Sequence, residues 1–566
     1  MKKVIIVGGV AGGASAAARL RRLDETANII MFEKGEYISF ANCGLPYYIG
    51  GEIKDKAALT LQTPEGFGQR FKIDVRTMQE VIKVDKHKKV VTVKDIKNGI
   101  QYEETYDKLI LSPGAVPRKL NIKGGNHKKV FTLRNIPDTL KIKEFIQNEK
   151  VKSAVIVGGG YIGIEMAENL YLAGLDVTII EYSDHVIGSL DSEMASDVHN
   201  HLREKGIKLM LNNGVKEIYE HGNELKLILD KGEVLTDMVI MSVGVTPDSK
   251  LASEVNLEVN NRGAIVVDSN MQTSDKDIFA IGDAIQITDF ITNMNEMIPL
   301  AGPANKQGRI VADNIAGIPS TYNGTQGTGI LKSFDMTIAM TGISESKAKK
   351  LALDYMKSYS YSQSHATYYP GAEGMSIKII FERETGRLLG AQIVGFDGVD
   401  KRIDVLATAI RGNMTIYDLT RLELAYAPPY SSAKDPVNMA GFIAENMMNG
   451  LVKVFYPEDV DRIRNDENAV LLDIRSEEEY GYGSIDGFQN ISLDELRENI
   501  NILDKNKKVY ITCQIGLRGY IASRILTSHG FDSYNLSGGY RLYNSINSDK
   551  LYEDKEDENV LSVASL

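Results

Sequence analysis

The sequence predicts an α/β protein with two dinucleotide-binding βαβ folds and further α/β units behind them. Three observations carry this. A glycine-rich run at residues 8–13 follows the short apolar run of residues 4–7, and a second at residues 158–163 follows residues 154–157. A lone cysteine, Cys43, lies just past the first βαβ unit, and the only other cysteine is Cys513.

A chain of 566 residues implies several domains. The formal charge of -11 argues against a general nucleic-acid surface. Two cysteines over this length provide neither a disulfide framework nor a metal cluster, so no metal is expected and a cytoplasmic thiol role is. Residues 1–9 superficially resemble a signal peptide, but their apolar run is short and enters a glycine turn, so they read as a first strand. No apolar run approaches bilayer length, so no membrane association is expected.

Residues 4–7 form a continuous apolar run suited to a buried parallel strand. Gly8 and Gly13 bound the turn, a small-residue helix over 14–23 follows, and residues 29–32 form the next strand, closed by Glu33. Glu33 stands twenty residues beyond Gly13, placed to grip an adenosine ribose, with the pyrophosphate on the helix amide end. Val10 departs from the fingerprint by occupying its middle glycine position. Cys43 reads as a redox sulfur beside a cofactor ring, or as a buried structural cysteine. Leu45 and Pro46 begin a helix whose amide end would favour a thiolate. Arg19, Arg21 and Arg22 read on the residues alone as a solvated helix face, the alternative being a site for an anionic substrate. Residues 81–107 form an antiparallel meander leading to strand 109–111, and Ser112 ends that strand at the ligand-binding carboxyl edge.

The second unit repeats the pattern with a complete G-x-G-x-x-G of Gly158, Gly160 and Gly163. Strand 177–180 ends in Glu181, a carboxylate that accepts the 2′-hydroxyl of NADH and repels the 2′-phosphate of NADPH. NADH is therefore expected, with NADPH left open because neighbouring side chains can compensate. Two Rossmann-like sites imply two cofactors that exchange electrons, and FAD between a nicotinamide and a sulfur is the economical arrangement. Gly282 and Asp283 end a third buried strand, where the carboxylate can accept from a ribityl chain.

From about residue 329 the pattern changes to strands at 334–342, 375–381 and 390–395 and a helix over 400–410, a separate domain. Tyr368 and Tyr426 have phenols able to donate to a departing thiolate. Residues 450–466 read as a bridge. Strands at 469–475 and 509–512 then frame a compact α/β unit, in which Cys513 opens a six-residue loop ending at Arg518 and feeding a helix over 520–527. Backbone amides around such a loop, with Arg518, favour a thiolate and hold anionic sulfur.

The first 446 residues resemble coenzyme A-disulfide reductase and related persulfide reductases of the flavoprotein pyridine nucleotide-disulfide oxidoreductases. The shared motifs are the runs at 8–13, 39–44, 158–163, 280–283 and 426–429. The resemblance implies an FAD-binding domain at 1–150 and 255–328, an inserted NAD-binding domain at 151–254 and an α+β dimerisation domain at 329–446. It implies a homodimer and a single catalytic cysteine at position 43. It implies paired active-site tyrosines, Tyr426 with Tyr368 or with Tyr361, donated by the other subunit. It further implies that Arg19, Arg22, Ser39, Asn42 and Lys72 line a coenzyme A site. After a linker at 447–463, residues 464–556 resemble a rhodanese, through Asp473–Arg475, the Cys513 loop and residues 536–539. Ser484 stands where many rhodaneses have histidine.

The function expected is reduction of coenzyme A persulfide, polysulfide or coenzyme A disulfide, with the rhodanese unit handling sulfane sulfur. The alternatives are an NADH oxidase or peroxidase using a Cys43 sulfenic acid, and a sulfur-carrier or redox-sensing protein.

Overall fold

Runs of β-branched residues bury themselves as parallel strands, and the small residues of the first helix let it lie close against them. Val4, Ile5 and Ile6 have no solvent exposure, and Ala16 and Ala17 beside them have none either. The computed structural model describes residues 2–563, with side chains described through residue 552. It divides into two units, Met1–Ile180 with Gly214–Gly327, and Glu181–Asn213 with Thr328–Leu566.

In the first unit, a five-stranded parallel sheet runs in the order Ile278–Ala280, Lys108–Leu111, Lys3–Val7, Asn28–Glu33, Asp74–Thr77. Helix Ala11–Leu23 makes the first crossover. The expected meander is present as an antiparallel sheet of Gln79–Asp85, Val90–Asp95 and Gln101–Thr105. A second parallel arrangement repeats the plan, with Ser153–Val157 between Asp176–Ile180 and Met238–Met241. Helix Tyr161–Leu172 follows the second glycine run.

In the second unit, an antiparallel sheet is ordered Gly329–Ser333, Met336–Gly342, Leu388–Gly395, Gly374–Glu382, Tyr355–Gln363. Beyond it a parallel sheet is ordered Lys453–Phe455, Ser533–Leu536, Lys508–Thr512, Ala469–Asp473, Gln489–Asn490. Helix Leu517–Ser528 follows the Cys513 loop, and the last helix runs over Gly539–Val563, past the expected domain end at 556.

One expected boundary changes. Residues 447–463 are not simply a linker: strand Lys453–Phe455 pairs with Ser533–Leu536, and Phe455, Val460 and Ile463 are buried with Ile485 and Leu536. The added strand covers an edge that would otherwise stand open. Residues 181–213, which fall in the second unit, carry part of a buried ion network. Lys378, fully buried, donates to Asp191 at 2.8 Å, to Glu345 at 2.7 Å and to Glu193. Asp191 also accepts from the Glu345 and Ser346 amides and from the Gln392 side chain. Burial alone would raise the Glu345 carboxyl, but Lys378 and Lys357 hold it well below its ordinary value. Among the described residues no helix is long and apolar enough to cross a membrane.

Lys378→Met removes the one cation that the carboxylates of Asp191, Glu193 and Glu345 share. It is expected to destabilise the second unit by about 3–5 kcal/mol, read as a lower denaturant midpoint. An unchanged midpoint would mean that the carboxylates are solvated without it.

Candidate functional site

The first glycine turn sits where the central strands end. Gly13 lies so close to Gly8 that a Cβ on it would fall 1.9 Å from the Gly8 carbonyl oxygen. The second turn repeats this, a Gly163 Cβ falling 2.0 Å from the Gly158 oxygen. Val10 is accommodated because its φ of -97° is ordinary for an L-residue. Glu33 accepts from the Gly9 amide at 2.9 Å and the Gly35 amide at 2.8 Å, bracing the turn. A cavity of about 370 Å³ opens over it, lined among others by Gly8, Glu33, Asn42, Ser112, Arg134 and Asp283. Burial pushes the Asp283 carboxyl up, with Arg134 opposing. The Asn42 side-chain oxygen is buried without a hydrogen-bond partner. A backbone cradle that excludes side chains, an orphaned acceptor and a half-buried carboxylate on one cleft fit a dinucleotide with a polyol chain.

Phe40 and Asn42 line the same cleft, and Ser39 and Cys43 adjoin them in sequence. The Ser39 amide donates to the Gly9 carbonyl at 2.9 Å, and Asn42–Gly44 forms a 3-10 turn leading into helix Leu45–Gly50 with Pro46 in its first turn. The helix start is as expected, but the thiolate-favouring environment is not. Cys43 is exposed to solvent, yet its thiol is pushed up, first by partial burial and then by the carboxylates of Glu165 and Asp283. Glu165 escaped the sequence reading; its one signal is its place two residues after Gly163, on the helix of the second turn. Its carboxyl is pushed up to about 7 by burial, against a hydrogen bond from Tyr47 and with help from Glu168. The Tyr47 hydroxyl donates to it at 3.3 Å.

The other expected residues are less clustered. Arg19 is tied to Asp313 at 2.8 Å, while Arg22 and Lys72 are exposed. Arg21 is buried and caps four carbonyls, of Asp24, Glu25, Phe71 and Lys72. Glu181 directly follows strand Asp176–Ile180 and accepts from the Ser183 amide at 2.8 Å. The Tyr368 and Tyr426 hydroxyls are 2.8 Å apart and both rings are exposed. Tyr361 instead lies under the Arg541 guanidinium, 4.5 Å from ring centre to carbon.

Cys513 is fully buried, and its sulfur accepts from the Gly516 amide at 3.1 Å and the Gly519 amide at 3.2 Å. Burial pushes its thiol up, and the loop amides and Arg518 oppose that. Arg518, expected to hold anionic sulfur, is already taken by Glu479 in two hydrogen bonds of 2.7 and 2.6 Å. Glu479 is held down at about 2, chiefly by that arginine.

Residues 2–308 match the family model for pyridine nucleotide-disulphide oxidoreductases. The chain belongs to that family. Residues 330–437 match the dimerisation domain of the same oxidoreductases, and residues 456–545 match a rhodanese-like domain. The coenzyme A disulfide reductase of Staphylococcus epidermidis is 39% identical over 447 residues, 79% of this chain and all of that one. The structure of reduced Bacillus anthracis CoADR-RHD is 48% identical with a TM-score of 0.94, covering 96% of this chain and 98% of that one. An NAD-dependent persulfide reductase from A. fulgidus is 38% identical with a TM-score of 0.90, covering 96% of this chain and 100% of that one. This pyridine nucleotide-disulphide oxidoreductase is thus an FAD-dependent enzyme that uses NAD(P)H, with a rhodanese-like domain at its C-terminal end.

Gly13→Ala forces the turn apart and is expected to yield protein without visible flavin absorbance; full flavin occupancy would show that the close approach is dispensable. Glu165 generates a pH prediction. Its folded value of about 7 exceeds its ordinary 4.5, so the folded state keeps the proton longer as pH rises. Stability is lost across that window, by up to about 3 kcal/mol. Glu165→Gln should match the parent below the window and exceed it above about pH 7, read from unfolding midpoints against pH.

Proposed function

We propose that this flavoenzyme uses NADH to reduce coenzyme A persulfide, polysulfide or coenzyme A disulfide at Cys43, and that Cys513 handles sulfane sulfur. The observation that carries the reading is a single thiol on a loop bonded to the first glycine turn, in a chain whose only other thiol sits in the rhodanese-like loop. In this reading the turn of Gly8 to Gly13, Glu33, Ser112, Gly282 and Asp283 holds FAD. Gly158, Gly160, Gly163 and Glu181 hold the nicotinamide nucleotide, and Glu181 sets the preference for NADH. Bound FAD supplies two-electron transfer between nicotinamide and sulfur.

The chain's own residues do the rest. Cys43 as thiolate attacks one sulfur of a coenzyme A disulfide, forming a mixed disulfide and releasing one coenzyme A thiolate. With a persulfide, two-electron reduction gives coenzyme A thiol and hydrogen sulfide. Ser39 and Asn42 flank the sulfur. Arg22 and Lys72 offer exposed cations to the coenzyme's phosphates, and Arg19, held by Asp313, orders the helix that bears Arg22. Tyr368 and Tyr426 act as a pair, supplied by the second copy of a homodimer, and protonate the leaving sulfur; their 2.8 Å contact favours Tyr368 over Tyr361 as the first member. Two unpaired thiols suit the cytoplasm. An oxidase working through a Cys43 sulfenic acid would leave Cys513 without a use.

The test is anaerobic NADH oxidation with each of the three substrates and sulfide detection. Cys43→Ser should lose about a thousandfold or more and Tyr426→Phe roughly a hundredfold in kcat/KM. Undiminished activity in Cys43→Ser would sink the mechanism, and NADH consumption that needs oxygen and forms no sulfide would favour the oxidase.

A further inference from the structure

The mouth of the Cys513 loop carries less positive charge than its two arginines suggest. Arg518 is neutralised by Glu479 through two parallel hydrogen bonds. Arg475 is 1% exposed and paired with Asp473 at 2.7 Å, and its guanidinium lies flat against the Tyr540 ring at 4.0 Å. Ser484 stands exposed nearby in the sequence and adds no charge. The loop's own outward side chains are apolar, Leu517 being 56% and Ile515 37% exposed. The sulfur is therefore met by backbone amides, and the Arg518 guanidinium that also favours its charge is shared with Glu479.

We infer that Cys513 takes sulfur from an organic persulfide rather than from thiosulfate, and that Glu479 sets this preference. The inference rests on the reading of Cys513 as the sulfane-sulfur carrier. With a persulfide, Cys513–S⁻ attacks the outer sulfur of R–S–SH. One S–S bond forms, the other breaks, and the products are Cys513–S–SH and R–S⁻. The outer sulfur keeps its oxidation level, and the reacting end carries at most one negative charge, the coenzyme's phosphates lying at the far end of its carbon stem. With thiosulfate, the same thiolate would meet a dianion and expel sulfite as a dianion. That exchange needs a free cation at the loop mouth, and Glu479 occupies the one guanidinium placed to serve. The apolar rim suits the carbon stem of a thiol carrier.

The test uses full-length protein without NADH, so that the flavin does not turn over, and subtraction of the Cys513→Ser rate removes what Cys43 contributes. Cyanide is the acceptor and converts Cys513–S–SH and CN⁻ into Cys513–SH and thiocyanate. The donors are thiosulfate and coenzyme A persulfide, and rates are taken above those of Cys513→Ser. The parent protein should be roughly tenfold or more faster with the persulfide, and Glu479→Gln should raise the thiosulfate rate by roughly tenfold with the persulfide rate changed less than about twofold. Glu479→Asp, which keeps the charge, should retain the parent's preference. Equal use of both donors by the parent, or an unchanged donor ratio in a folded Glu479→Gln, overturns the inference and leaves the carrier reading standing. No thiocyanate above Cys513→Ser with either donor overturns both. If Glu479→Gln does not fold, the parent's donor ratio alone decides.

Discussion

The first unit depends on one backbone hydrogen bond, from the Ser39 amide to the Gly9 carbonyl. It fastens the thiol-bearing loop to the glycine turn at the carboxyl edge of the sheet. The rest of the edge converges by the same means. The Gly8 amide donates to Phe32, the Ser112 amide to Val7 and the Ile281 amide to Leu111. Each is a strand-end bond that continues the ladder by one residue, so the turn, Ser112, Gly282 and Asp283 inherit their positions from strand register. The loop that bears the sulfur is held a second time by an antiparallel bridge between Phe40 and Thr60.

The two thiols are held by opposite means. Cys43 is reachable, with carboxylates as its nearest electrostatic influences, and these resist ionisation. Cys513 is enclosed, and its burial is answered by amides aimed at the sulfur. Amide dipoles stabilise charge without being consumed by a counter-ion, whereas Arg518 shares its charge with Glu479. A cysteine cradled in this way can carry a negative sulfur chain without a permanent cation, which suits a group that is loaded and unloaded repeatedly.

The local features were legible in the sequence: both glycine turns, the strand-end carboxylates, the meander, and the two cysteine loops. Their signals lie within a few residues and follow from steric need, as at Gly13 and Gly163. What escaped depends on pairings distant in sequence. Glu165 acquires its raised carboxyl from burial, against a hydrogen bond from Tyr47, 118 residues away. Glu479 reaches Arg518 across 39 residues and shares the guanidinium that also favours charge on Cys513. Lys378 binds carboxylates from 33 to 187 residues distant. The strand within 447–463 was hidden because three residues carry too little periodicity to announce an edge.

That segment also shows what the C-terminal helix does for the second unit. The Val186 amide donates to Nε2 of buried His199, so that nitrogen must be unprotonated. Nδ1 then carries the hydrogen and donates to Asp549 at 2.7 Å. Burial lowers the imidazole's proton affinity and agrees with this neutral tautomer. Asp549 accepts from Arg203 as well, at 2.5 Å, and Ser545 one turn earlier bonds Asp197 and Ser196. Helix Gly539–Val563 thus reaches, through one ring, the backbone of residues 182–186 immediately after Glu181. The chain beside Glu181 is thereby fastened to the last helix of the rhodanese-like end. Fusion of the two domains is accordingly a structural matter: removing the C-terminal domain would take away the support of the loop beside Glu181.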